Sequence, residues 1–363
     1  MDGVLTRASG GQPPEISVVI PTYNRAGSVL RVLKSLANQT ADPTSFEVVL
    51  VLDGCTDNSA EVARSGELPY TLHVVEQPGK GRAAARNNGV RMSRAPLILF
   101  LDDDMECDSG LIAIHLAEHR KSSGEVVLGY YPMVSEQNST PERERIRLWW
   151  DEQFAKRSSP GHKFTYHDFL TGNVSLSREL LDSVNGFEES MPRIATCEDW
   201  ELGFRLLKAG VQFRDCREAW CIHRTAASTR HILYRAREEG GGQAVMAIKH
   251  PEIFFDLPLS QLCGVFERPA LWPAIRVLWR YPALVHATSE LLNWSYLWMA
   301  RLNLRSAQAF LEPYARRCEY WRGMRLVFQS ADEWREACQR AVDAKQSFRM
   351  EIHLNATEAA AKR

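Results

Sequence analysis

The chain contains the stretch Leu97-Ile98-Leu99-Phe100-Leu101-Asp102-Asp103-Asp104, in which an apolar run leads directly into three acids. An apolar run of this length without alternation is typical of a strand that is buried on both faces of a parallel sheet. The three carboxylates would then emerge together where the strand ends. The stretch therefore predicts a buried strand with an acidic triplet, Asp102–Asp104, at its carboxyl end.

Three more apolar runs lie upstream, and each stops at turn-forming residues: Ile16–Ile20 before Pro21, Phe46–Leu52 before Asp53-Gly54, and Thr71–Val75 before Gln77-Pro78-Gly79. Between them, the residue patterns predict helices over Ser28–Asn38 and Arg82–Ser93. Strands that alternate with helices predict an α/β fold with a doubly wound sheet, whose ligands bind beyond the carboxyl ends of the strands. The polar residues at these ends are therefore expected to share one site.

The composition excludes several classes of protein. The 363 residues include 44 Lys+Arg and 45 Asp+Glu, so the balance of charge gives no reason to expect a nucleic-acid partner. No run reaches the roughly 18 apolar residues that a membrane span requires, and the 8 cysteines form no Cys-x-x-Cys pair. We expect a cytoplasmic protein with free thiols; a peripheral position at the inner face of a membrane is the alternative.

Changes in composition suggest four segments. Residues 1–14 are predicted to be a flexible tail, 15–240 the α/β domain, 241–342 a helical domain with many prolines, and 343–363 a polar tail. Gly240–Gly242 is interpreted as the break between the two domains. Residues 142–169 are polar and aromatic, and we expect a loop or helix that covers the site.

The acidic triplet has two interpretations. Closely spaced carboxylates at a strand end are suited to a hard cation such as Mg²⁺ or Mn²⁺, which is usually bound through one or two carboxylates and substrate phosphates. The alternative is a solvated acidic turn. Asp53 would accept hydrogen bonds from a nucleotide, and Gln77–Arg82 resembles an anion cradle before a helix, although such a glycine-rich segment is more often only a turn.

The order of motifs closely resembles glycosyltransferase family 2, the inverting family with the GT-A fold. The resemblance covers roughly residues 16–225 and is carried by Val18–Arg25, Asp53-Gly54, Gly81–Gly89, Leu101–Asp104, Thr171–Ser175, Asn185–Glu189, Cys197–Leu206 and His223. It implies a Rossmann-like mixed sheet flanked by helices, followed here by a helical domain. It also implies an enzyme that uses a nucleotide diphosphate sugar.

The resemblance assigns roles to particular residues. Asp199 would be the general base with Glu198 beside it, and Asp104 and His223 would hold Mn²⁺ or Mg²⁺. Gly172 and Asn173 are assigned to the acceptor or sugar. Trp200 departs from the small or polar residue that is frequent after the Glu-Asp pair in the family, and it would offer an aromatic face to the acceptor. The donor nucleotide would contact Pro21, Thr22, Tyr23, Arg25, Asp53, Gly81, Arg82, Arg86, Asp102 and Asp103. Each of these residues also has a purely structural alternative. The Glu-Asp pair would favour a helix N-terminus, His223 would be a structural histidine, and Trp200 would pack in the core.

The chain lacks the Gln-x-x-Arg-Trp motif of processive members, since Ala-Val-Met follows Gln243. We therefore expect transfer of a single sugar, from a UDP-sugar or similar donor, to a hydroxyl of a saccharide, a lipid-linked molecule or a small molecule. The rivals are a retaining transferase, a nucleotidyltransferase and a non-catalytic nucleotide-sugar-binding protein.

The C-terminal helices are rich in Trp and Arg, a composition that suits either a packed bundle or a membrane interface. Leu291, Trp294 and Trp298 fit one helix face, and we interpret that face as buried. Acceptor recognition, peripheral membrane contact and a homodimer through these helices are the alternatives.

Overall fold

The computed structural model describes residues 4–7, 13–122, 124–134, 141–191, 196–224, 229–260, 277 and 279–344. Two compact units divide the chain. The first contains residues up to 193 together with 198–227, and the second contains 194–197 and the chain from 228 onward.

Nine strands among the described residues form one sheet in the first unit, in the order β1-β4-β3-β2-β5-β8-β7-β9-β6. The strands are β1 (Val4–Arg7), β2 (Ile16–Thr22), β3 (Phe46–Asp53), β4 (Thr71–Gln77), β5 (Leu97–Leu101), β6 (Met105–Cys107), β7 (Glu125–Tyr130), β8 (Asn173–Ser177) and β9 (Gln212–His223). The central strands β4, β3, β2 and β5 are parallel, whereas β8 is antiparallel to β5 and to β7. The sheet is therefore mixed, as the resemblance implied.

The four predicted strands and the two predicted helices are confirmed, with ends that move by a few residues. The helices of this unit are α1 (Ala26–Ala37), α2 (Ser59–Ser65), α3 (Arg82–Met92), α4 (Leu111–Lys121), α5 (Pro141–Arg157), α6 (Arg178–Ser183) and α7 (Glu198–Lys208). A 3₁₀ turn spans Tyr166–Asp168. Within residues 142–169, which were expected to form a loop or helix, the part up to Arg157 is helical in α5.

Both faces of the sheet are buried. Successive residues of a strand point to opposite sides and therefore pack into different apolar clusters. Val18 and Ile20 of β2 pack into the apolar cluster that contains the buried face of α1, whereas Val19 packs into the cluster that contains α3 residues. At Gly89 of α3, an added Cβ would lie 2.4 Å from Val19 Cγ1, so only glycine allows this close approach. The continuous apolar runs of the sequence reflect this burial.

The N-terminal prediction needs a correction. Residues 1–14 were expected to be a flexible tail, yet Val4–Arg7 forms β1, which pairs antiparallel with β4 from Val4↔Val75 to Arg7↔Leu72. A strand of four residues at the edge of a sheet is too short for its residue pattern to distinguish it from a polar tail.

The second unit is helical in its described part. It contains α8 (Thr229–Lys249), a 3₁₀ segment (Pro251–Asp256), α9 (Pro282–Arg301), α10 (Arg305–Met324) and a helix over 331–344. None of the helices in the described ranges is long and apolar enough to cross a bilayer. Most of the predicted polar tail 343–363 lies outside the described residues.

The predicted break at Gly240–Gly242 is wrong, because α8 continues through these glycines and the two units divide at residues 227 and 228. The glycines permit close packing instead. An added Cβ at Gly240 would lie 2.1 Å from the carbonyl oxygen of Tyr320 in α10, and one at Gly242 would lie 1.7 Å from that of Thr196. Runs of glycine inside a helix can mark a tight helix contact rather than a domain boundary.

The predicted buried face of Leu291, Trp294 and Trp298 is also wrong. All three side chains are exposed, Trp294 to 59%. The residues of α9 that are buried are Val285, Ser289 and Tyr296.

Candidate active site

The acidic triplet follows β5 directly, and each of its carboxylates has a basic partner. Asp102 Oδ1 accepts from Arg86 Nη2 at 3.0 Å, and Asp103 and Asp104 both accept from Arg25 Nη1 at 2.9 Å. Thr22 Oγ1 also donates to Asp103 Oδ2 at 2.5 Å. Thr22, at the end of β2, and Arg25, just before α1, are thus brought to the triplet, as expected for neighbouring parallel strands.

Asp104 lies beside His223, which is more than a hundred residues later in the chain. The antiparallel pairing of β6 with β9 sets Met105 opposite His223, and Asp104 Oδ1 lies 3.3 Å from His223 Nε2. Burial opposes ionisation of Asp104, but His223 and Arg25 together outweigh it and hold its pKa below the ordinary value. The Asp104 carboxylate is therefore charged at neutral pH.

The imidazole of His223 is held from the other side by aromatic rings. Its ring centroid lies 6.0 Å from that of Tyr131 and 6.4 Å from that of Trp150 in α5. Its Nδ1 atom is buried and has no hydrogen-bond partner among the described residues. Asp104 and His223 thus offer one oxygen and one nitrogen ligand at a fixed position.

Arg86 connects the acidic triplet to the Glu-Asp pair, Glu198 and Asp199. This buried guanidinium of α3 donates from Nη1 to Glu198 Oε1 at 2.7 Å, in addition to its bond with Asp102. The sequence predicted Arg86 at the donor nucleotide, whereas its ion pairs in the described part of the chain are with Asp102 and Glu198. Its role as a bridge is a feature that sequence analysis missed, because no local pattern links residues 86 and 198.

The two members of the Glu-Asp pair differ in acidity. Burial acts to raise the pKa of Glu198, but Arg86 outweighs it and lowers the pKa. For Asp199, burial and then the charge of Glu198 raise the pKa above its ordinary value. A carboxylate with a raised pKa is a better proton acceptor. Glu198 is therefore held ionised by Arg86, whereas Asp199 is the more basic member of the pair.

The glycine-rich segment before α3 is folded around Asp53 at the end of β3. The carboxylate of Asp53 accepts from the backbone N–H groups of Lys80 at 2.7 Å and Gly81 at 2.8 Å, and from Gln77 Nε2 at 2.8 Å. The loop therefore holds the Asp53 carboxylate through these three hydrogen bonds. Gly81 has φ +98° and precedes Arg82, the first residue of α3.

Pro21 lies inside β2, and Tyr23, in the loop that follows this strand, is exposed. Asn24 adopts a left-handed φ of 53°, and its Oδ1 accepts from the backbone N–H of Thr56 at 2.7 Å. This bond ties the loops after β2 and β3 together. Asn24 was not predicted as a site residue, although asparagine is among the few residues that adopt this conformation readily.

The three residues assigned to the acceptor or sugar have different surroundings. Trp200 is partly exposed, its ring centroid lies 4.6 Å from that of His167, and its backbone N–H donates to Asp199 Oδ1 at 2.9 Å. Gly172 lies against the triplet, since its carbonyl accepts from Asp102 N at 3.3 Å. Trp200 thus adjoins the predicted base, and Gly172 adjoins the acidic triplet.

Asn173 requires a correction. It is 1% exposed, and its amide nitrogen donates to the carbonyl of Ala219 at 2.9 Å while its oxygen lies 2.9 Å from His115 Nε2. An amide enclosed in the sheet in this way supports β8 and cannot contact an acceptor. No local pattern indicates this partner, because His115 lies far away in the chain.

Comparison with known proteins agrees with these features. Residues 17–184 match the family model described as glycosyl transferase family 2. Validoxylamine A glucosyltransferase of Streptomyces hygroscopicus subsp. limoneus is 36% identical over 235 residues, which cover 58% of this chain and 51% of the relative. Chondroitin synthase of Pasteurella multocida is 27% identical over 230 residues, which cover 55% of this chain and 23% of that protein. The chain thus spans about half the length of the first of these relatives, and less of the second.

Two solved structures share the fold. A mannosyltransferase from Pyrobaculum calidifontis, in complex with GDP-Man and Mn²⁺, has a TM-score of 0.53 at 17% identity and covers 86% of this chain and 88% of its own. TarS 1–349 of S. aureus, in complex with UDP, has a TM-score of 0.51 at 16% identity and covers 86% and 91%. The sheet, the motif order and these matches lead to one conclusion: residues 17–184 form a domain of glycosyltransferase family 2, and the chain has the GT-A fold.

Proposed function

We propose that this protein transfers a single sugar from a nucleoside diphosphate sugar to an acceptor hydroxyl, with inversion at the anomeric carbon. The observation that carries the proposal is the bridge made by Arg86. It joins Asp102 of the acidic triplet to Glu198, the neighbour of the proposed base Asp199. The acidic triplet on the donor side and the proposed proton acceptor Asp199 therefore belong to one connected site.

The proposed chemistry divides between these groups. The acceptor oxygen bonds to the anomeric carbon, the bond from that carbon to the diphosphate oxygen breaks, and the hydroxyl proton passes to Asp199. The raised pKa of Asp199 suits a general base. Glu198, which is paired with Arg86, positions the base. Its negative charge also raises the pKa of Asp199.

A divalent cation fits the pair Asp104 and His223. No group of three or more His, Cys, Asp or Glu side chains that could hold a metal ion occurs within the described ranges, so the diphosphate and water would complete the shell, as is usual for Mg²⁺. The ionised Asp104, with His223 Nε2 lying 3.3 Å from its Oδ1, supports this assignment. When bound, such an ion supplies neutralisation of charge on the departing diphosphate. The neighbour crystallised with Mn²⁺ supports testing manganese first.

The donor is best sought among nucleoside diphosphate sugars. The relative named as a glucosyltransferase supports glucose donors as the first group, and the neighbours bound to UDP and GDP-Man support testing both nucleotides. A ligand that binds only the folded protein raises its melting temperature, so a thermal-shift screen with Mn²⁺ would rank the donors.

The test of the proposed base is Asp199→Asn, which keeps the size of the side chain but removes its ability to take a proton. We expect turnover to fall by a factor on the order of 10² to 10⁴, while donor affinity and melting temperature stay near those of the wild type. Turnover and calorimetric donor affinity should be measured on the same preparation, with Glu106→Gln as a control outside the base. Loss of both together would mean that Asp199 holds the donor, and no change would exclude it as the base.

The stereochemistry is tested separately. The anomer of the first product, read by NMR before it equilibrates, should be inverted relative to the donor. A retained anomer would favour a retaining transferase, and release of pyrophosphate would favour a nucleotidyltransferase.

A further inference from the structure

The second unit has an unusual distribution of polarity in the pair of helices α9 and α10. Leu302–Leu304 connect the helices, and such a short connection forms a helical hairpin. We call residues 298–310 the hairpin tip. Within it, Leu302 is 57% exposed, Leu304 50% and Phe310 68%.

The buried side of the same hairpin is partly polar, beside an apolar cluster that contains Tyr296 and Ala315. The inward residues of α10 include Gln308, Glu312 and Glu319. The carboxylate of Glu319 accepts from Ser289 Oγ at 2.5 Å, from Asn293 Nδ2 at 2.6 Å and from Arg322 Nη1 at 2.8 Å. Charged groups are thus enclosed together with Tyr296, while several other large apolar groups of the same helices face outward, which is unusual for a water-exposed helix pair.

The exposed apolar groups of the hairpin are arranged in adjacent pairs. Trp294 and Trp298 of α9 have ring centroids 5.7 Å apart, and Phe310 and Tyr314 of α10 have centroids 5.6 Å apart. These rings flank the leucines of the connection in sequence. Trp and Tyr favour the boundary between apolar chains and headgroups, where one side of the ring is apolar and the other is wet.

The charge of this segment has one sign. From Leu291 to Leu311 the sequence contains no Asp or Glu, and its two charged residues are Arg301 and Arg305. Both arginines are exposed, and they immediately flank the leucines of the connection. Basic residues next to an apolar tip complement anionic headgroups, to which each Lys or Arg near the surface is attracted.

From these observations we infer that the hairpin tip is a docking surface for anionic lipid bilayers, with Leu302 and Leu304 inserted at the interface and Arg301 and Arg305 at the headgroups. The contact lies in the interface and does not span the bilayer. The inference rests on the second unit alone and does not depend on the proposed glycosyl transfer.

The test is sedimentation of the full chain with vesicles at physiological salt. The chain should bind vesicles of equal parts phosphatidylglycerol and phosphatidylcholine, and bind phosphatidylcholine vesicles weakly. Leu302→Ser with Leu304→Ser should weaken binding by a factor on the order of ten or more. Arg301→Gln with Arg305→Gln should weaken binding to the anionic vesicles by about fivefold for each charge removed.

Leu326→Ser is the matched control, since Leu326 is a leucine of the same unit that is also exposed but lies outside the tip. It should bind like the wild type. Circular dichroism and donor-induced thermal shift of every variant would show that the fold and the first unit are unchanged. A wild-type chain that stays in the supernatant with anionic vesicles would overturn the inference. So would a control that loses binding as much as the tip variants, or a dimer in light scattering that the two serines dissociate, which would assign the surface to a second copy.

Discussion

At the scale of single residues, the site depends on how its carboxylates pair with two arginine side chains. Arg25 contacts Asp103 and Asp104, and Arg86 contacts Asp102 and Glu198. Each arginine thus reduces repulsion between carboxylates that would otherwise be costly to bury. Asp199 has no arginine contact as close among the described residues, and burial, followed by the charge of Glu198, raises its pKa.

The pH dependence of turnover should report this difference. Protonated Asp199 cannot accept a proton, so turnover should fall as the pH is lowered through its pKa, which lies above the ordinary value of about 4. Glu198→Gln removes the neighbouring negative charge and should move this acid limb to lower pH. Profiles of kcat against pH for both proteins at saturating donor would check this, and a limb that stays in place or moves upward would contradict it.

Asp104→Ala should abolish the part of donor affinity that depends on a divalent cation, because it removes a charged ligand that the diphosphate cannot replace. Calorimetric titration of the donor with and without Mn²⁺ would measure this. Glu106→Ala serves as the control, since Glu106 is two residues away and pairs with Arg224 at the surface. An Asp104→Ala variant with the same Mn²⁺ dependence as the wild type would remove Asp104 from the metal assignment.

At the scale of secondary structure, the sequence predicted well what depends on local pattern. The strands β2 to β5 and the helix α1 could be placed because burial on both faces leaves a continuous apolar run, and because Ala26–Ala37 keeps its apolar residues on one side. The carboxyl ends of these strands correctly located Thr22, Asp53 and the acidic triplet.

What local pattern could not supply is the identity of distant partners. The bridge from Arg86 to Glu198, the enclosure of Asn173 by His115, and the packing of Trp150 near His223 all join residues far apart in the chain. The glycines of α8 were misread for the same reason, since their purpose is visible only beside α10. Exposure of Trp294 was missed because an apolar helix face does not reveal what covers it.

The crossing of α8 and α10 gives a prediction about stability. An added Cβ at Gly323 would lie 1.9 Å from the carbonyl oxygen of Arg237, so Gly323→Ala must push the helices apart. We expect a loss of about 1–3 kcal/mol in the free energy of unfolding, the usual cost of overpacking. Gly66→Ala is the control, because no atom lies within 4 Å of its added Cβ. Urea denaturation of both variants would compare them, and equal stabilities would refute the close contact.

At the scale of the whole molecule, the described sheet has a second polar cluster apart from the site. Glu47 of β3 is fully buried and accepts from Ser17 Oγ at 2.7 Å and from Arg94 Nε at 2.8 Å, and its Oε2 lies 3.1 Å from His73 Nε2. Burial acts to raise the pKa of Glu47, but these hydrogen bonds together outweigh it and lower the pKa to about 2. The cluster ties β2, β3 and β4 to the segment that precedes β5.

This cluster should contribute to stability in a pH-dependent way. The lowered pKa means that the stabilisation is fully present above about pH 5, the upper end of titration in the unfolded chain, and is lost as the pH falls toward 2. Glu47→Gln should therefore cost about 3 kcal/mol at pH 7, and its difference from the wild type should shrink in acid. Denaturation at several pH values would show this, and a constant difference would argue against the ionised cluster.

The separation of Asp104 from His223 along the chain has a consequence for biosynthesis. The ribosome makes residues Thr22 to Asp104 first, so the acidic triplet, Arg25 and Arg86 have all been synthesised while Glu198, Asp199 and His223 are still untranslated. Because the antiparallel strand β6 must wait for β9, a nascent chain can gather the arginines around the triplet long before it holds the proposed base or the histidine. Interrupted translation before residue 198 would therefore release a product with the acids of the donor side but without the residues assigned to proton transfer.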